Sequence, residues 1–292
     1  MLRVLVLGVT GMLGHMLFKV LGGDSRYETV GAMRSASGRR YFSAQQQEHL
    51  IEGFDAEDSD ALVRVLQCAR PDVVVNCVGI IKQQSNAEDP LQVLPINALF
   101  PHRLARLCAL SGTRVVHVST DCVFSGRDGG YTEESVSDAE DLYGKSKYIG
   151  ELHDFDNAVT LRTSIIGHEL NSQLSLIDWF LAQEGRTKGY AQAIFSGLPT
   201  IELANVIRDH VLTQPDLKGL YHVAAEPISK LDLLTLVARE YGKSIEIIAD
   251  HQVCIDRSLQ ALRFGSATGY IAPSWPELVG RMHAGRKYLQ SV

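Results

Sequence analysis

The sequence lacks the usual marks of secreted, membrane-spanning and nucleic-acid-binding proteins. It has five cysteines in 292 residues, and no two of them form a Cys-x-x-Cys pair, so we expect reduced thiols and a cytoplasmic protein. No apolar run reaches the roughly 18 residues that cross a bilayer, and no membrane partner is expected. The net charge of −6 and the pI near 5.9 disfavour binding to nucleic acids and leave room only for a local basic pocket.

The first residues combine one basic residue with an apolar stretch, as a secretion signal does. Three glycines and one threonine interrupt residues 1–18, and no small-residue cleavage site follows. A strand, a loop and a helix account for every position, so we expect no export. The chain has no internal repeat and no low-complexity linker, and the sequence predicts no metal site.

Short apolar runs rich in β-formers alternate with segments of helical period, which predicts an α/β fold with a doubly wound parallel sheet. The predicted strands are 2–7, 29–33, 51–54, 73–78, 114–118 and 159–162, and the predicted helices are 12–21, 60–69 and 96–110. After about residue 165 the alternation loosens into helices at 171–183, 201–213 and 229–241 and short strands at 220–223 and 245–248. Ser229 is the expected N-cap of the last helix. The second half is therefore expected to be a smaller lobe packed on the first.

A glycine-rich segment follows the first predicted strand. Gly8 ends the strand, Gly11 allows close backbone approach, and Gly14 opens a helix whose N-terminal amides and dipole suit a pyrophosphate. Further residues of this predicted cofactor loop are Thr10, Met12 and Leu13. The spacing is G-x-x-G-x-x-G, and the alternative is a tight strand–helix turn that binds nothing.

The end of the second strand indicates which dinucleotide is bound. An acid there accepts from an adenine-ribose hydroxyl, whereas a base pairs with a 2′-phosphate. The strand is followed by Arg34, with no carboxylate before Glu48, so NADP(H) is favoured. The alternative is that Arg34 is a solvated loop cation, with Arg39 or Arg40 in its place.

Two further strand ends are predicted to contact the cofactor. Asp55, after the third strand, is positioned to meet the adenine edge. The segment Cys77-Val78-Gly79, after the fourth strand, is positioned to pass beneath a ribose. Both segments are also compatible with ordinary strand exits.

The catalytic candidates are a phenol and an ammonium one helical turn apart. Tyr143 and Lys147 share a helix face at i and i+4, so Lys147 is expected to lower the pKa of Tyr143 from its ordinary value of about 10. Such a phenol exchanges a proton near neutral pH while a dinucleotide carries the hydride. The alternative is a packed helix aromatic beside a solvated lysine.

The segment Ser119-Thr120-Asp121 follows another strand, where a hydroxyl can hydrogen-bond a substrate oxygen. Asp121 is a candidate contact for a sugar hydroxyl. The same three residues are also typical of an ordinary loop start. Cys122 has no evident histidine partner and is interpreted as a packed thiol.

These motifs, taken in order, resemble those of an extended short-chain dehydrogenase/reductase. A closer resemblance, to the dTDP-4-dehydrorhamnose reductase family, covers most of residues 1–225. It rests on residues 70–76, 116–121 followed by Val123-Phe124-x-Gly126, 142–147 followed by Gly150-Glu151, 162–164 and 219–222.

The resemblance implies an NADP-binding Rossmann-type domain over residues 1–165. Residues 166–292 would form mainly a discontinuous substrate-binding lobe, with segments near 195–225 returning to the first domain. It also implies NADPH-dependent reduction of a nucleotide-linked 4-keto-6-deoxy sugar, for surface-polysaccharide or related glycan synthesis, and a homodimer is compatible with it.

The resemblance also assigns roles to residues. Thr120 would polarise the ketone, Tyr143 would protonate the alkoxide, and Lys147 would complete the triad. Ser119, Tyr143 and Lys147 would also contact the cofactor, and Asn97 would support Lys147 through water.

The turn from Cys77 to Gln83 and the C-terminal tail depart from the family pattern, which leaves the sugar open. Lys82 and Asp121 are predicted to bind the substrate together with the catalytic hydroxyls. Lys82, Arg257 and Arg263 are candidates for nucleotide phosphates, with surface salt bridges as the alternative. Two other functions stay open: an epimerase or dehydratase with a tightly held nicotinamide, and a cofactor-binding regulatory subunit like the partner subunit of methionine adenosyltransferase.

Overall fold

Strands and helices alternate along the first half of the chain. The computed structural model describes residues 1–82 and 87–289. Its strands are β1 (Leu2–Leu7), β2 (Tyr27–Ala32), β3 (Leu50–Ile51), β4 (Val73–Asn76), β5 (Arg114–Thr120), β6 (Ala158–Thr163), β7 (Ile165–Ile166), β8 (Arg186–Phe195), β9 (Leu198–Pro199), β10 (Gly219–His222), β11 (Ile228–Ser229) and β12 (Glu246–Asp256). Its α-helices are α1 (Met12–Gly22), α2 (Ala44–Gln47), α3 (Ser59–Ala69), α4 (Pro90–Val93), α5 (Phe100–Leu110), α6 (Leu142–Ile149), α7 (Leu176–Ala182), α8 (Thr200–Val206), α9 (Lys230–Glu240), α10 (Leu262–Thr268) and α11 (Trp275–Gly285).

Seven strands form a central parallel sheet in the order β3-β2-β1-β4-β5-β6-β10. This confirms the predicted doubly wound Rossmann-type fold. The strand order reverses direction between β1 and β4, and this switch point is where open α/β sheets bind ligands, beyond the carboxyl ends of the strands.

Side chains of β1 show how the sheet is covered on both faces. Because successive residues point to opposite faces, Val4 and Val6 pack into the core with Leu17 of α1. Leu5 and its neighbours on the same face pack into a separate core with Leu104 of α5. A strand buried on both faces reads as a continuous apolar run, which is why its bounds match the prediction.

The helix that ends at Leu110 begins earlier than the predicted residue 96. Asp89 accepts a hydrogen bond from the Leu91 N–H at 3.0 Å, and Pro90 occupies the first turn, where a missing N–H costs nothing. Between α4 and α5, Leu94–Leu99 is π-helical, a local widening that is frequent at functional sites.

The second half differs most from the sequence prediction. β8 was not predicted, and it forms a second sheet in the order β11-β8-β12. The helix expected at 171–183 is confined to α7, because Ser175 caps it by accepting from the Asp178 N–H at 3.5 Å. The chain from α8 to β10 returns to the central sheet, where β10 pairs with β6.

Candidate active site

The glycine-rich turn lies at the carboxyl edge of the sheet, directly after β1. Gly8 has φ +80°, a left-handed conformation that favours glycine. A Cβ at Gly14 would overlap the carbonyl oxygen of Gly8, so the start of α1 can approach the turn only with glycine at that position. The tight turn is therefore required by the fold itself, and it directs the α1 N-terminus to the switch point.

Arg34 is the available cation after β2. It is exposed, and within residues 1–82 and 87–289 it has no hydrogen-bond or ion-pair partner. Arg39 is paired with Glu52, and the guanidinium of Arg40 lies 4.8 Å from the ring of Tyr41. Of the three arginines that are candidates for the 2′-phosphate, Arg34 is thus the one whose guanidinium has no other contact among the described residues.

The other predicted cofactor residues follow β3 and β4. Asp55 is half-buried and accepts from the Glu57 N–H at 3.0 Å. The Cys77 N–H donates to the carbonyl of Leu7 at 3.2 Å, which holds the segment up to Gly79 against the end of β1. Val78 is similarly held, because its N–H donates to the Asn76 side chain at 3.1 Å. These contacts make the segment well defined, and its role toward a cofactor stays a prediction.

Thr120 and Tyr143 are brought together by the packing of α6 on the end of β5. Asp141 caps α6 by accepting from the Gly144 N–H at 2.7 Å. A Cβ at Gly144 would overlap the carbonyl oxygen of Cys122, so this glycine allows the helix to lie close to the chain after Thr120. As a result the phenol of Tyr143 lies beside the Thr120 hydroxyl, close enough for the two groups to interact.

The pKa of Tyr143 is raised, and the expectation that Lys147 lowers it is wrong for this structure. Burial is the main cause and the neighbouring Cys122 adds to it, whereas the interaction with Thr120 opposes it. Lys147 points instead to the backbone, with its Nζ donating to the Val118 carbonyl at 2.8 Å. The phenol therefore keeps its proton, which is the form that a general acid needs.

Lys147 is buried at 6% exposure. Burial lowers its pKa to about 8, although the attraction of Glu151 works in the opposite direction. With this pKa the amine is still mainly protonated near neutral pH, and a poorly solvated ammonium is a strong donor to any oxygen brought beside it.

The side chain of Ser119 is hydrogen-bonded to a buried carboxylate. Its hydroxyl donates to Glu151 at 2.7 Å, and the same carboxylate accepts from Arg162 at 2.7 Å. Burial opposes ionisation of Glu151, but the hydrogen bonds from Arg162, His153 and Ser119 hold its pKa below the usual value. The Ser119 hydroxyl proton is therefore engaged by Glu151, and the contact of Ser119 with a cofactor stays a prediction.

Asn97 lies in the π-helical segment and is almost fully buried. Its side chain accepts from the Ile80 N–H at 2.9 Å and donates to the Ile80 carbonyl at 3.0 Å. It also donates to the Ser146 hydroxyl at 3.3 Å. Asn97 therefore joins the loop after β4 to α6, and its support of Lys147 stays a prediction.

The predicted substrate side contains both signs of charge. Asp121 is 6% exposed; burial raises its pKa, and Arg257 opposes this rise. Lys82 pairs with Asp141, and its ammonium lies 5.8 Å from the ring centroid of Tyr143. The end of the divergent turn, residues 83–86, lies outside the described residues.

Arg257 and Arg263, two of the three candidates for binding nucleotide phosphates, have different surroundings in the structure. Arg257 stays near the site, where its Nε donates to the Phe124 carbonyl at 2.8 Å. Arg263 pairs with Glu134, as in the salt-bridge alternative.

Cys122 is half-buried, and burial raises the pKa of its thiol to about 12, which favours the interpretation as a packed thiol.

Lys230, at the start of α9, was not identified from the sequence. It interacts electrostatically with Asp121 and Arg257, so it belongs to the same charged cluster. No sequence signal connects residues so far apart along the chain, and only the folded structure brings them together.

Within the described residues there is no group of three or more histidine, cysteine or acidic side chains arranged to hold a metal ion. None of the helices in that part of the chain is long and apolar enough to cross a bilayer.

The fold and this edge of the sheet define a Rossmann-type α/β protein. The sequence model of the family described as "RmlD substrate binding domain" matches residues 2–255. The chain belongs to this family.

Known proteins similar to the chain include reductases and a subunit of a methionine adenosyltransferase. Methionine adenosyltransferase 2 subunit beta of Xenopus tropicalis is 25% identical over 252 residues, covering 82% of this chain and 72% of that protein. A dTDP-4-dehydrorhamnose reductase of Mycolicibacterium smegmatis is 28% identical over 151 residues, covering 51% of this chain and 40% of that one. The crystal structure of dTDP-4-dehydrorhamnose reductase from Bacillus anthracis in complex with NADP has a TM-score of 0.78 at 22% identity, covering 97% and 99% of the two chains. This last likeness shows the shared fold.

Proposed function

We propose that the protein is an NADPH-dependent reductase of a nucleotide-activated 4-keto-(6-deoxy) sugar. The observation that carries the proposal is the position of the Tyr143 phenol beside the Thr120 hydroxyl at the carboxyl edge of β5, with the buried ammonium of Lys147 one helical turn behind. A protonated phenol beside a second hydroxyl is suited to receive a carbonyl oxygen and to protonate it. The cytoplasm, where such sugars are used for glycan synthesis, is the proposed compartment, and a homodimer is the proposed assembly.

NADP(H) is the proposed cofactor. The N-terminus of α1 and the turn from Gly8 to Gly14 would hold its pyrophosphate, and unpaired Arg34 would meet the 2′-phosphate. Support comes from the related structure crystallised with NADP. Residues 1–165 would form most of this cofactor site, with residues 166–292 contributing mainly to the substrate side.

When bound, NADPH would supply a hydride to the keto carbon. Thr120, which now donates to Asp121 at 3.1 Å, would turn its hydroxyl to the ketone oxygen. Tyr143 would give its proton to the same oxygen as negative charge develops there. Lys147 would contact the bound cofactor with its buried ammonium, as predicted from the sequence.

The proposal is tested by incubating the protein with NADPH and a panel of nucleotide-linked 4-keto sugars while following the absorbance of the reduced nicotinamide. We expect stoichiometric oxidation of NADPH with at least one sugar. An isomerised or dehydrated sugar without net NADPH consumption would assign the protein to the epimerases or dehydratases.

The substrate side is tested with Lys82→Ala and Asp121→Ala. Both residues adjoin the catalytic hydroxyls, so both variants should raise KM for the sugar more than Kd for NADPH. Equal changes in both constants would show that these side chains maintain the site rather than bind the substrate.

A regulatory subunit that binds NADP(H) is the second candidate. The observation that favours it is the similarity to methionine adenosyltransferase 2 subunit beta over 82% of the chain. For this role we expect NADPH binding without turnover of any panel sugar, together with binding to a methionine adenosyltransferase catalytic chain in analytical ultracentrifugation. Sugar turnover without that association would reject it.

A further inference from the structure

A buried ion pair joins the end of α6 to the central sheet. Arg162 of β6 donates to both carboxylate oxygens of Glu151, from Nε and from a terminal guanidinium nitrogen, each at 2.7 Å. Both side chains are shielded from water, with 0% exposure for Glu151 and 1% for Arg162. Glu151 directly follows Gly150, the C-cap of the helix that carries Tyr143 and Lys147.

Stability of the fold alone is a poor explanation for such a pair. Taking two charges out of water is costly, and apolar side chains of similar volume are often as stable or more stable in the same place. The other contacts of the Glu151 carboxylate therefore indicate what the pair is for.

Glu151 also holds the end of β5. The Ser119 hydroxyl donates to Glu151 Oε1 at 2.7 Å, and Ser119 is the register partner of Arg162 in the pairing of β5 with β6. Among the described residues, β4 pairs with β5 only as far as His117. The last three residues of β5, which ends at Thr120, therefore have a paired strand on one side alone, and the hydrogen bond to Glu151 restrains them further.

The two residues that flank Ser119 belong to the candidate active site. The carbonyl of Val118 accepts from Lys147 Nζ at 2.8 Å, and Thr120 carries the hydroxyl beside Tyr143. A shift of the strand end would move both groups, and misplacement by about 1 Å can lower a rate about 100-fold. Through Ser119, Glu151 thus acts on the position of groups that it does not hydrogen-bond itself.

The negative charge of Glu151 also acts on Lys147. Burial lowers the pKa of Lys147 to about 8, and the attraction of Glu151 opposes this shift. The direct hydrogen-bond acceptor of Lys147 is an uncharged carbonyl, so its protonated form gains from the charge of Glu151.

Two other titratable groups of the described residues face Lys147, from β4 and β5. They are Cys77, just after β4, and His117 of β5. Burial raises the pKa of the Cys77 thiol to about 12 and lowers the pKa of His117 well below its ordinary value. Both groups are therefore uncharged near neutral pH, whereas Glu151 is ionised because the hydrogen bonds from Arg162 and its other donors hold its pKa low against burial.

We propose that Glu151 is a positioning residue of the candidate active site, which holds Ser119 and thereby the end of β5. Its carboxylate also supplies the counter-charge for Lys147. The inference rests on the proposed reductase function, and it adds a residue that acts on the catalytic groups through their neighbours.

Ser119→Ala removes the hydrogen bond to Glu151 and leaves the ion pair intact. We expect kcat with the best sugar of the panel to fall roughly 10- to 100-fold, with Kd for NADPH nearly unchanged. Ser119→Thr keeps a hydroxyl at this position and should restore most of the lost kcat. Ser111→Ala is the control, because it removes a hydroxyl that donates to the Cys108 carbonyl at 3.1 Å, at the end of α5, and it should leave kcat unchanged.

Glu151→Gln combined with Arg162→Met tests the charge. The double variant removes both charges of the pair, and methionine keeps an apolar contact with Phe124, whose ring centroid lies 5.2 Å from the Arg162 guanidinium. Without the carboxylate, burial should lower the pKa of Lys147 below about 8, so NADPH binding should begin to weaken at a lower pH than in the wild type. Calorimetric titrations of NADPH between about pH 6 and 9 measure this profile, and Lys147→Met should abolish it.

Asp156→Asn is the matched control for the charge. It also replaces a carboxylate by an amide, at an exposed pair with Lys218, and should leave the pH profile unchanged. Urea denaturation shows whether the double variant is folded; if it is not, Ser119→Ala decides the inference.

The outcomes separate the two proposals. If a keto sugar oxidises NADPH but Ser119→Ala keeps the kcat of the wild type, or changes only Kd for NADPH, the inference is overturned while the reductase function stands. A folded double variant with the pH profile of the wild type also overturns it. If no sugar oxidises NADPH, the reductase function fails, and the pH profile of NADPH binding alone decides the role of Glu151.

Discussion

Replacing Tyr143 by phenylalanine removes one hydroxyl and keeps the ring that packs between α6 and the end of β5. The lost hydroxyl is the proposed proton donor, and general acids typically contribute about 10²- to 10⁴-fold to a rate. At 1.36 kcal/mol for each tenfold change, turnover should fall by an amount equal to about 3 to 5 kcal/mol of barrier.

The effect on stability should be much smaller. The hydroxyl of Thr120 still donates to Asp121 at 3.1 Å and accepts from the Cys122 N–H at 3.1 Å, so it is not left without a partner. The substitution therefore removes at most one weak polar contact of the phenol, and the free energy of unfolding should change by no more than about 0.5 to 1.5 kcal/mol. Unfolding therefore cannot account for the predicted loss of activity.

The assay compares steady-state turnover of wild type and Tyr143→Phe with the best sugar of the panel, together with Kd for NADPH and urea denaturation of both proteins. Turnover reduced at least about a hundredfold with nearly unchanged cofactor binding is the expected result. Turnover of the variant within a few-fold of wild type would refute the catalytic role of this phenol.

Three further predictions concern the cofactor site and the buried lysine. Arg34→Ala should weaken NADPH by about 1.5 to 3 kcal/mol and NADH hardly at all; equal losses in titrations of both cofactors would disprove contact with the 2′-phosphate. In the folded protein the pKa of Lys147 is about 8, below its ordinary value of 10.5. Between pH 8 and 10.5 Lys147 therefore holds its proton more often in the unfolded chain than in the folded one. The free energy of unfolding of the wild type should thus rise with pH in this range, relative to that of Lys147→Met. A constant difference in urea denaturation from about pH 7 to 10 would contradict the buried charge. Gly14→Ala should lower the free energy of unfolding by at least about 1 to 3 kcal/mol because its Cβ meets the Gly8 carbonyl, while Gly22→Ala, with open space around it, should stabilise the same helix by about 0.5 to 1 kcal/mol; similar effects in thermal melts would reject the clash.

Local patterns in the sequence predicted the elements whose cause is local. β1 has the predicted bounds because its residues are buried on both faces. Ser229 caps α9 as expected, accepting from the Asp232 N–H at 3.0 Å. In both cases a few neighbouring residues contain the whole physical reason for the structure.

Elements stabilised from a distance were not predictable in this way. Exposed residues of β8 alternate with buried and half-buried ones, so it has no continuous apolar run, and it is a strand because β12 pairs with it. The same limit applies to the site. Tyr143 and Lys147 lie one turn apart on one helix, as the sequence predicted. Their depth of burial, which is the main cause of both pKa shifts, depends on how α6 packs against the rest of the protein. Lys230 joins the site only through the fold of the second lobe.

The return of the chain to the central sheet ties the folding of the two halves together. β10 forms the outer edge of that sheet beside β6, and α8 contacts α1, although both come after the start of the second lobe. A chain cut after residue 165 would expose the edge of β6 and part of the core face of α1, which favours association with other chains. The two halves of the chain should thus unfold in one cooperative transition, and a ligand bound to either half should slow amide hydrogen exchange in both.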